Sequence, residues 1–344
     1  MYPVAHCYDQ AAMMNRRRFL RTVSASLLAA PLAAEAQQAG RLRRVGVLMG
    51  YAENDLEANG FFAGFRQRLA ELGWLDGRNL RMDVRWAPGS VDRMRTFAKE
   101  LVELQPDVIL ANSTPVTAAF QRETRTIPIV FAVASDPVGS GFVASLNRPG
   151  GNITGFSIAE PTLPGKWMEL LTEITPRLKR AAMMFNPDTA PYVSSYYLPS
   201  FEAAARSLKV APITARVHSD AEIETVVTSL GREPVGGLLV MPDNFMTIHR
   251  AQIISLAARN HVPAVYQLPV NVRHGGLRSY GADFADIFRR AASYVDRVLR
   301  GVMPSELPVQ MPTKYVMAVN AKTAKALGLT IPQSILLRAD QVIE

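Results

Sequence analysis

The side chains of this chain that can engage a ligand fall just after short apolar runs. Tyr51 follows Val45 to Met49, and Asn112, Ser113 and Thr114 follow Val108 to Ala111. Ser135 and Asp136 end the run that begins at Ile129, where Pro137 forces a turn. Asn186 follows Ala181 to Phe185, Asp243 and Asn244 follow Gly237 to Met241, and Gln267 follows Tyr266. Ser279-Tyr280 closes one more run. Runs of this kind are the pattern of buried parallel strands. Residues placed after them lie at a sheet's carboxyl edge, where open α/β folds bind ligands.

The residue types point to binding. Asn112-Ser113-Thr114 before Pro115 read as a helix start, which would aim amide, hydroxyl and backbone N–H groups at an anion. The helix dipole adds about 0.3–1 kcal/mol to such a contact. Helix capping is expected from the same residues. Asp136 and Asp243 can accept from a ligand ammonium in a charge-assisted bond, or can close their own backbone turns, and one of the two is expected to meet the ligand. Tyr51, Tyr266 and Tyr280 offer flat faces to an aromatic or amphipathic ligand, with core packing as the plain alternative.

Signals for catalysis are missing. The five histidines make no HExxH spacing, and the chain has no GxSxG elbow and no P-loop. Gly139-Ser140-Gly141 lacks the third glycine of a dinucleotide fingerprint. The one cysteine, Cys7, precedes the basic amino-terminal segment and excludes an internal disulfide. No catalytic residue, metal or cofactor is expected. A secreted enzyme would need Asp136 and Asp243 to meet at one pocket as an acid–base pair.

The elements that position these residues alternate strand and helix from Leu42 onward, which argues parallel sheets covered on both faces. The pattern then repeats. Arg43 to Met49 corresponds to Lys179 to Phe185, and Ile127 to Phe131 corresponds to Val262 to Tyr266. The expected architecture is two doubly wound parallel-sheet lobes joined by a hinge. Lobe one covers 42–156, a bridging helix lies in 157–179, lobe two covers 180–300, and 301–344 cross back to cover or complete lobe one. Several crossings would let the lobes close around a ligand.

Net charge is +8, and removal of residues 1–36 would leave +6. The basic residues are scattered among acidic ones, so no nucleic-acid footprint is expected. Arg16-Arg17 with Phe19-Leu20 matches a twin-arginine export pattern, followed by the apolar stretch Val23 to Leu32 and by Ala34-Glu35-Ala36. Cleavage before Gln37 and a periplasmic location are expected, with Met13 or Met14 as the start.

The sequence resembles the ABC-transporter substrate-binding family that includes tryptophan- and tyrosine-type binding proteins. The carrying motifs are IPIVF and SDPVGSGFV, NRPGGNITGFS, VPAVYQ, GGLRSYG, and LPVQMPTKY with VNAKTAKALGLTIPQSILLRADQVIE. The resemblance implies a type I periplasmic-binding fold, no chemistry of its own, and delivery of a small solute to a membrane permease served by an ATPase. The expected solute is an aromatic or branched amino acid or a related carboxylate, and the expected receptor is a monomer. A sensory receptor of the same fold is the alternative. A twin-arginine signal departs from family members anchored by a lipidated cysteine.

Overall fold

Val45, Val47, Leu48 and Met49 are fully buried, as a strand covered on both faces requires. They lie in β1 (Arg43–Met49), the second strand of a five-stranded sheet in a computed structural model that describes residues 42–158, 160–232 and 235–344. The expected export signal and its cleavage point lie outside the described residues. The sheet continues with β2 (Leu80–Trp86), β3 (Val108–Asn112), β4 (Ile129–Ala134) and β5 (Ile153–Ser157), all parallel in the order β2-β1-β3-β4-β5. Its helices are α1 (Leu56–Glu71), α2 (Val91–Glu103) and α3 (Thr114–Glu123).

The second sheet holds β6 (Arg180–Phe185), β7 (Ala211–Arg216), β8 (Gly236–Val240), β9 (Ala264–Tyr266) and β10 (Arg278–Ala282), then β11 (Tyr315–Asn320) and β12 (Gln341–Ile343). The order is β12-β11-β10-β9-β8-β6-β7, parallel except between β10 and β11. Reading outward from β6, its first five strands reproduce the order of the first sheet, so the internal repeat is a repeat of topology. Helices α4 (Leu163–Ile174), α5 (Val193–Tyr196), α6 (Leu198–Ser207), α7 (Asp220–Arg232), α8 (Asn244–Ile248), α9 (Arg250–Arg259), α10 (Pro269–Arg273), α11 (Phe284–Leu299), α12 (Ala321–Ala326) and α13 (Gln333–Leu336) complete the chain. Trp167 of α4 donates its indole N–H to Tyr280 O at 2.7 Å, which fastens the bridging helix to lobe two.

Two expected boundaries are corrected. Helix α11 was expected to end lobe two, but it packs on lobe one. Phe61 of α1 meets Phe284 and Phe288 with ring centroids 5.7 and 5.8 Å apart, and Trp74 donates to Asp296 at 2.8 Å. The buried stripe of α1 runs Ala58, Phe61, Phe62, Phe65 and Leu69, while Leu56 is 88% exposed. That stripe needs a cover, and the apolar face of α11 supplies it at about 1.5–3 kcal/mol for each fully buried large side chain. The carboxyl-terminal segment was expected to complete lobe one. Instead β11 pairs antiparallel with β10 and β12 pairs with β11, which covers an edge lobe two would otherwise expose. The part of the segment that joins lobe one is the crossover, where Gln310 N donates to Gly155 O and Gln310 O accepts from Ser157 N, both at 2.9 Å.

Among the described residues, three segments therefore cross between the lobes, at 160–162, at Asp283 and at 311–314. The last two are tied together: Asp283 N donates to Lys314 O at 3.0 Å, and Lys314 Nζ lies 2.8 Å from the Asp283 carboxylate.

Candidate functional site

In each sheet the strand order reverses between the first and third strands of the repeat, the switch point where α/β folds open a crevice. Both lobes build that point alike. Gly50 N, just after β1, donates to Asn112 Oδ1 at 3.0 Å. Asn186 N, just after β6, donates to Asp243 Oδ2 at 3.0 Å. The next residue after Asp243 crosses the seam: Asn244 donates its amide to Gly50 O at 2.7 Å. The two sheets thus meet tip to tip, in contact through buried polar groups.

The tips of β3 and β4 are locally strained. Ser113, Val133 and Asp136, at φ 84°, 56° and 42°, are three of seven described non-glycine residues with positive φ. Such outliers cost about 1–3 kcal/mol each and cluster at functional sites. At β4 the register with β5 shifts between Ala132 and Ala134, a bulge that re-aims the strand end. The expected capping role of Ser113 is corrected. It stands at the N-cap of α3 but makes no side-chain cap bond, because its backbone leaves the extended region that caps use. Its buried Oγ has no hydrogen-bond partner, and neither does Asn112 Nδ2 beside it. Both lie at a helix start whose first N–H groups lack intrahelical acceptors. Thr114 Oγ1 accepts from Ser135 N at 2.8 Å and fixes α3 to the tip of β4.

The other predicted residues divide by what they touch. Gln267 is buried at the tip of β9, lies over Gly281, and leaves both amide atoms unpartnered. Tyr51 is buried at the tip of β1. Tyr266 packs into the core on the far side of its sheet, with its hydroxyl unpartnered. Tyr280 is half-buried and stacks on Tyr315 at 5.5 Å. Asn186 turns its own loop, with Oδ1 accepting from Asp188 N and Thr189 N. Asp136 Oδ1 likewise accepts from Gly139 N at 2.9 Å. Asp243 is occupied on both oxygens by Asn186 N, Thr189 Oγ1 and Met246 N. These bonds engage both carboxylates in backbone turns, the plain alternative to a ligand ammonium.

Burial pushes Asp243 up to about 6 against the pull of those donors. A raised carboxyl binds its proton more tightly in the folded chain, so its stabilising contribution is complete below about 4 and is lost as pH rises through about 6. Asp243→Asn cannot ionise. Its stability should therefore gain on that of the wild type by roughly 1–3 kcal/mol between pH about 4 and about 7, read from urea midpoints. A pH-independent gap between the two proteins would contradict this.

Two tyrosines that the sequence reading did not select span the seam. Tyr197 donates its hydroxyl to Ser135 Oγ at 3.3 Å, and Tyr192 lies near the Ser135 and Thr114 side chains. Both are buried, 6.0 Å apart between centroids, and burial pushes both phenols up. The run of tyrosines in NPDTAPYVSSYY after β6 was the available signal. Openings flank the seam on both sides. One, of about 230 Å³, lies between the start of α3 and the loop carrying Asp188 and Pro191. Another, of about 620 Å³, lies between the start of α1 and Arg250, Val270 and Arg273. Among the described residues, no group of three His, Cys, Asp or Glu could hold a metal, and no helix is long and apolar enough to cross a membrane.

The profile of a family described as ABC transporter substrate binding protein matches residues 55–343. A tyrosine-binding protein of Clostridioides difficile (strain R20291) is 28% identical over 267 residues, 77% of this chain and 76% of that protein. A conserved domain protein of Vibrio cholerae superposes with a TM-score of 0.81 at 28% identity, covering 88% of this chain and 100% of that one. An ABC domain from Streptococcus pneumoniae in complex with L-Trp superposes with a TM-score of 0.80 at 27% identity, with the same coverage.

Proposed function

Because this chain belongs to the ABC transporter substrate-binding protein family, we propose that it is the periplasmic receptor of an importer, closing over an aromatic L-amino acid and presenting it to a permease. The family is one of binding proteins rather than enzymes. The observation that carries the reading is the pair of buried, unpartnered donors Asn112 Nδ2 and Ser113 Oγ at the start of α3. A buried polar group without a partner costs about 1–3 kcal/mol, and this pair, with the helix start behind it, suits a ligand carboxylate. Gln267 offers an amide from the opposite lobe, and Tyr192 and Tyr197 offer aromatic walls. The tyrosine-binding relative and the L-Trp complex support an aromatic side chain on the ligand. Arg16-Arg17 and Ala34-Glu35-Ala36 support export with cleavage before Gln37. The protein acts as a monomer whose lobe surfaces report occupancy to the permease through differential affinity.

Calorimetric titration with L-tryptophan, L-tyrosine, L-leucine and tryptamine tests this reading. An aromatic L-amino acid should bind and raise the melting temperature. Ser113→Ala should weaken that binding by about 10- to 100-fold, the loss of a hydrogen bond to a charged group. Tryptamine binding as tightly as L-tryptophan would remove the carboxylate assignment.

A further inference from the structure

Two ion pairs join the lobes along one rim of the seam. Arg250 Nη1, at the start of α9, lies 2.7 Å from Asp55 Oδ2. Arg273 Nη2, at the end of α10, donates to both oxygens of Glu57 at 2.7 and 2.9 Å. Both acids stand at the amino end of α1 in lobe one, and both arginines belong to lobe two. We propose that Arg250 and Arg273 are positioning residues that hold the lobes shut through Asp55 and Glu57, and so set ligand affinity without touching the ligand. This rests on the binding role argued above.

The two pairs are unequal. The Asp55 side chain is 8% exposed and that of Arg250 22%, against 30% and 39% for Glu57 and Arg273. Asp55 is also fixed before Arg250 arrives, since its Oδ1 caps α1 by accepting from Glu57 N and Ala58 N, both at 3.0 Å. Arg250 is steadied in turn by donating to Thr247 O at 3.2 Å. Less side-chain freedom is lost when two held groups meet, and a less exposed pair is less screened. In separated lobes all four charges return to water. The pairs therefore favour the closed arrangement alone, which is the differential a conformational equilibrium responds to. They act after encounter, so they slow ligand release rather than speed arrival.

The test uses the full chain, titrated with L-tryptophan and L-tyrosine from about 0.01 M to about 1 M salt, over which the Debye length falls from about 30 to about 3 Å. At low salt Arg250→Gln should bind about 10-fold more weakly and Arg273→Gln about 3-fold, both through faster dissociation. Both deficits should shrink in high salt while melting temperatures stay near wild type. Asp55→Asn keeps a capping side chain and should match Arg250→Gln. Arg250→Lys should retain most of the affinity. Glu57→Arg combined with Arg273→Glu should recover most of what Arg273→Glu loses. Wild-type affinity in the two glutamine variants, or no recovery in the charge-reversed pair, would overturn the proposal. Should the wild type bind neither amino acid, the ligand assignment fails, and closure is still read without ligand by small-angle scattering. The Arg250→Gln, Arg273→Gln double variant should then show a larger radius of gyration than wild type at low salt, and equal radii would overturn the proposal.

Discussion

Gly50→Ala should remove tight ligand binding while leaving both lobes folded. A Cβ at Gly50 would stand 2.2 Å from Asn244 Nδ2 and 3.2 Å from Ser113 Oγ. The first atom belongs to lobe two and donates to the carbonyl of Gly50 itself. The methyl group therefore wedges the lobes apart at the point where they touch. Gly50 is not among the residues with positive φ, so alanine brings no backbone strain to lobe one, where its methyl presses only on the Ser113 hydroxyl. Forcing a methyl into a packed contact costs about 1–3 kcal/mol. Here that cost falls mainly on closure, through the shorter contact with Asn244, and the expected loss is about 10- to 100-fold in affinity. Titration with L-tryptophan measures it, and circular dichroism checks that the melting temperature is preserved. Asn244→Ala in the same chain should return part of the loss by clearing the methyl's path. Affinity within about two-fold of wild type in Gly50→Ala would mean that the tips of β1 and β8 do not approach on binding.

The strand tips were legible because a parallel strand covered on both faces leaves a continuous apolar run, and the residue after the run must sit at the sheet's edge. Tyr51, Asn112, Ser113 and Asn244 were placed at strand tips that way. What the runs do not encode is the partner of an apolar face. The stripe of α11 announces that something covers it, yet nothing in its spacing names α1 of the other lobe. The same holds for β11, whose sequence marks a strand without marking β10 as its neighbour. The carboxylates also have a local engagement that their spacing encodes. Asp136 with Gly139, and Asp243 with Met246, each stand three residues from a backbone N–H that their side chains capture, the spacing of an Asx or capping turn. Ser113 was read as a cap because serine before proline suits one, and its φ of 84° is a property of the folded loop. Tyr192 and Tyr197 lie too far beyond β6 for a rule that takes only the first residues after each strand.

The most distinctive motif, Asn147 to Ser157, serves architecture, and Gly155→Ala is its sharpest test. Asn152 donates its amide to Ile127 O at 2.7 Å, Thr154 Oγ1 donates to Leu307 O, and Gly155 O accepts from Gln310 N. The motif thus fastens β5 to β4 on one side and to the returning crossover on the other. Gly155 stands at φ 152°, a region that glycine alone occupies with ease. Its Cβ would fall 2.1 Å from Phe131 O and 2.7 Å from Phe131 N. Those are backbone atoms of its register partner in β4, which pairs with β3 as well as β5 and cannot retreat. A side chain here meets both backbone strain and an unyielding clash, which together place the loss at about 4 kcal/mol or more, enough to remove much of a typical domain's stability. Urea denaturation measures it, or the yield of soluble protein where the variant does not fold. Gly151→Ala is the matched control, since a Cβ there meets nothing within 4 Å and φ is not positive, and it should stay within about 0.5 kcal/mol of wild type. If Gly155→Ala were as stable as that control, β5 would not be clamped between β4 and the crossover. The crossings beside it would then have no fixed anchor in lobe one on which to turn.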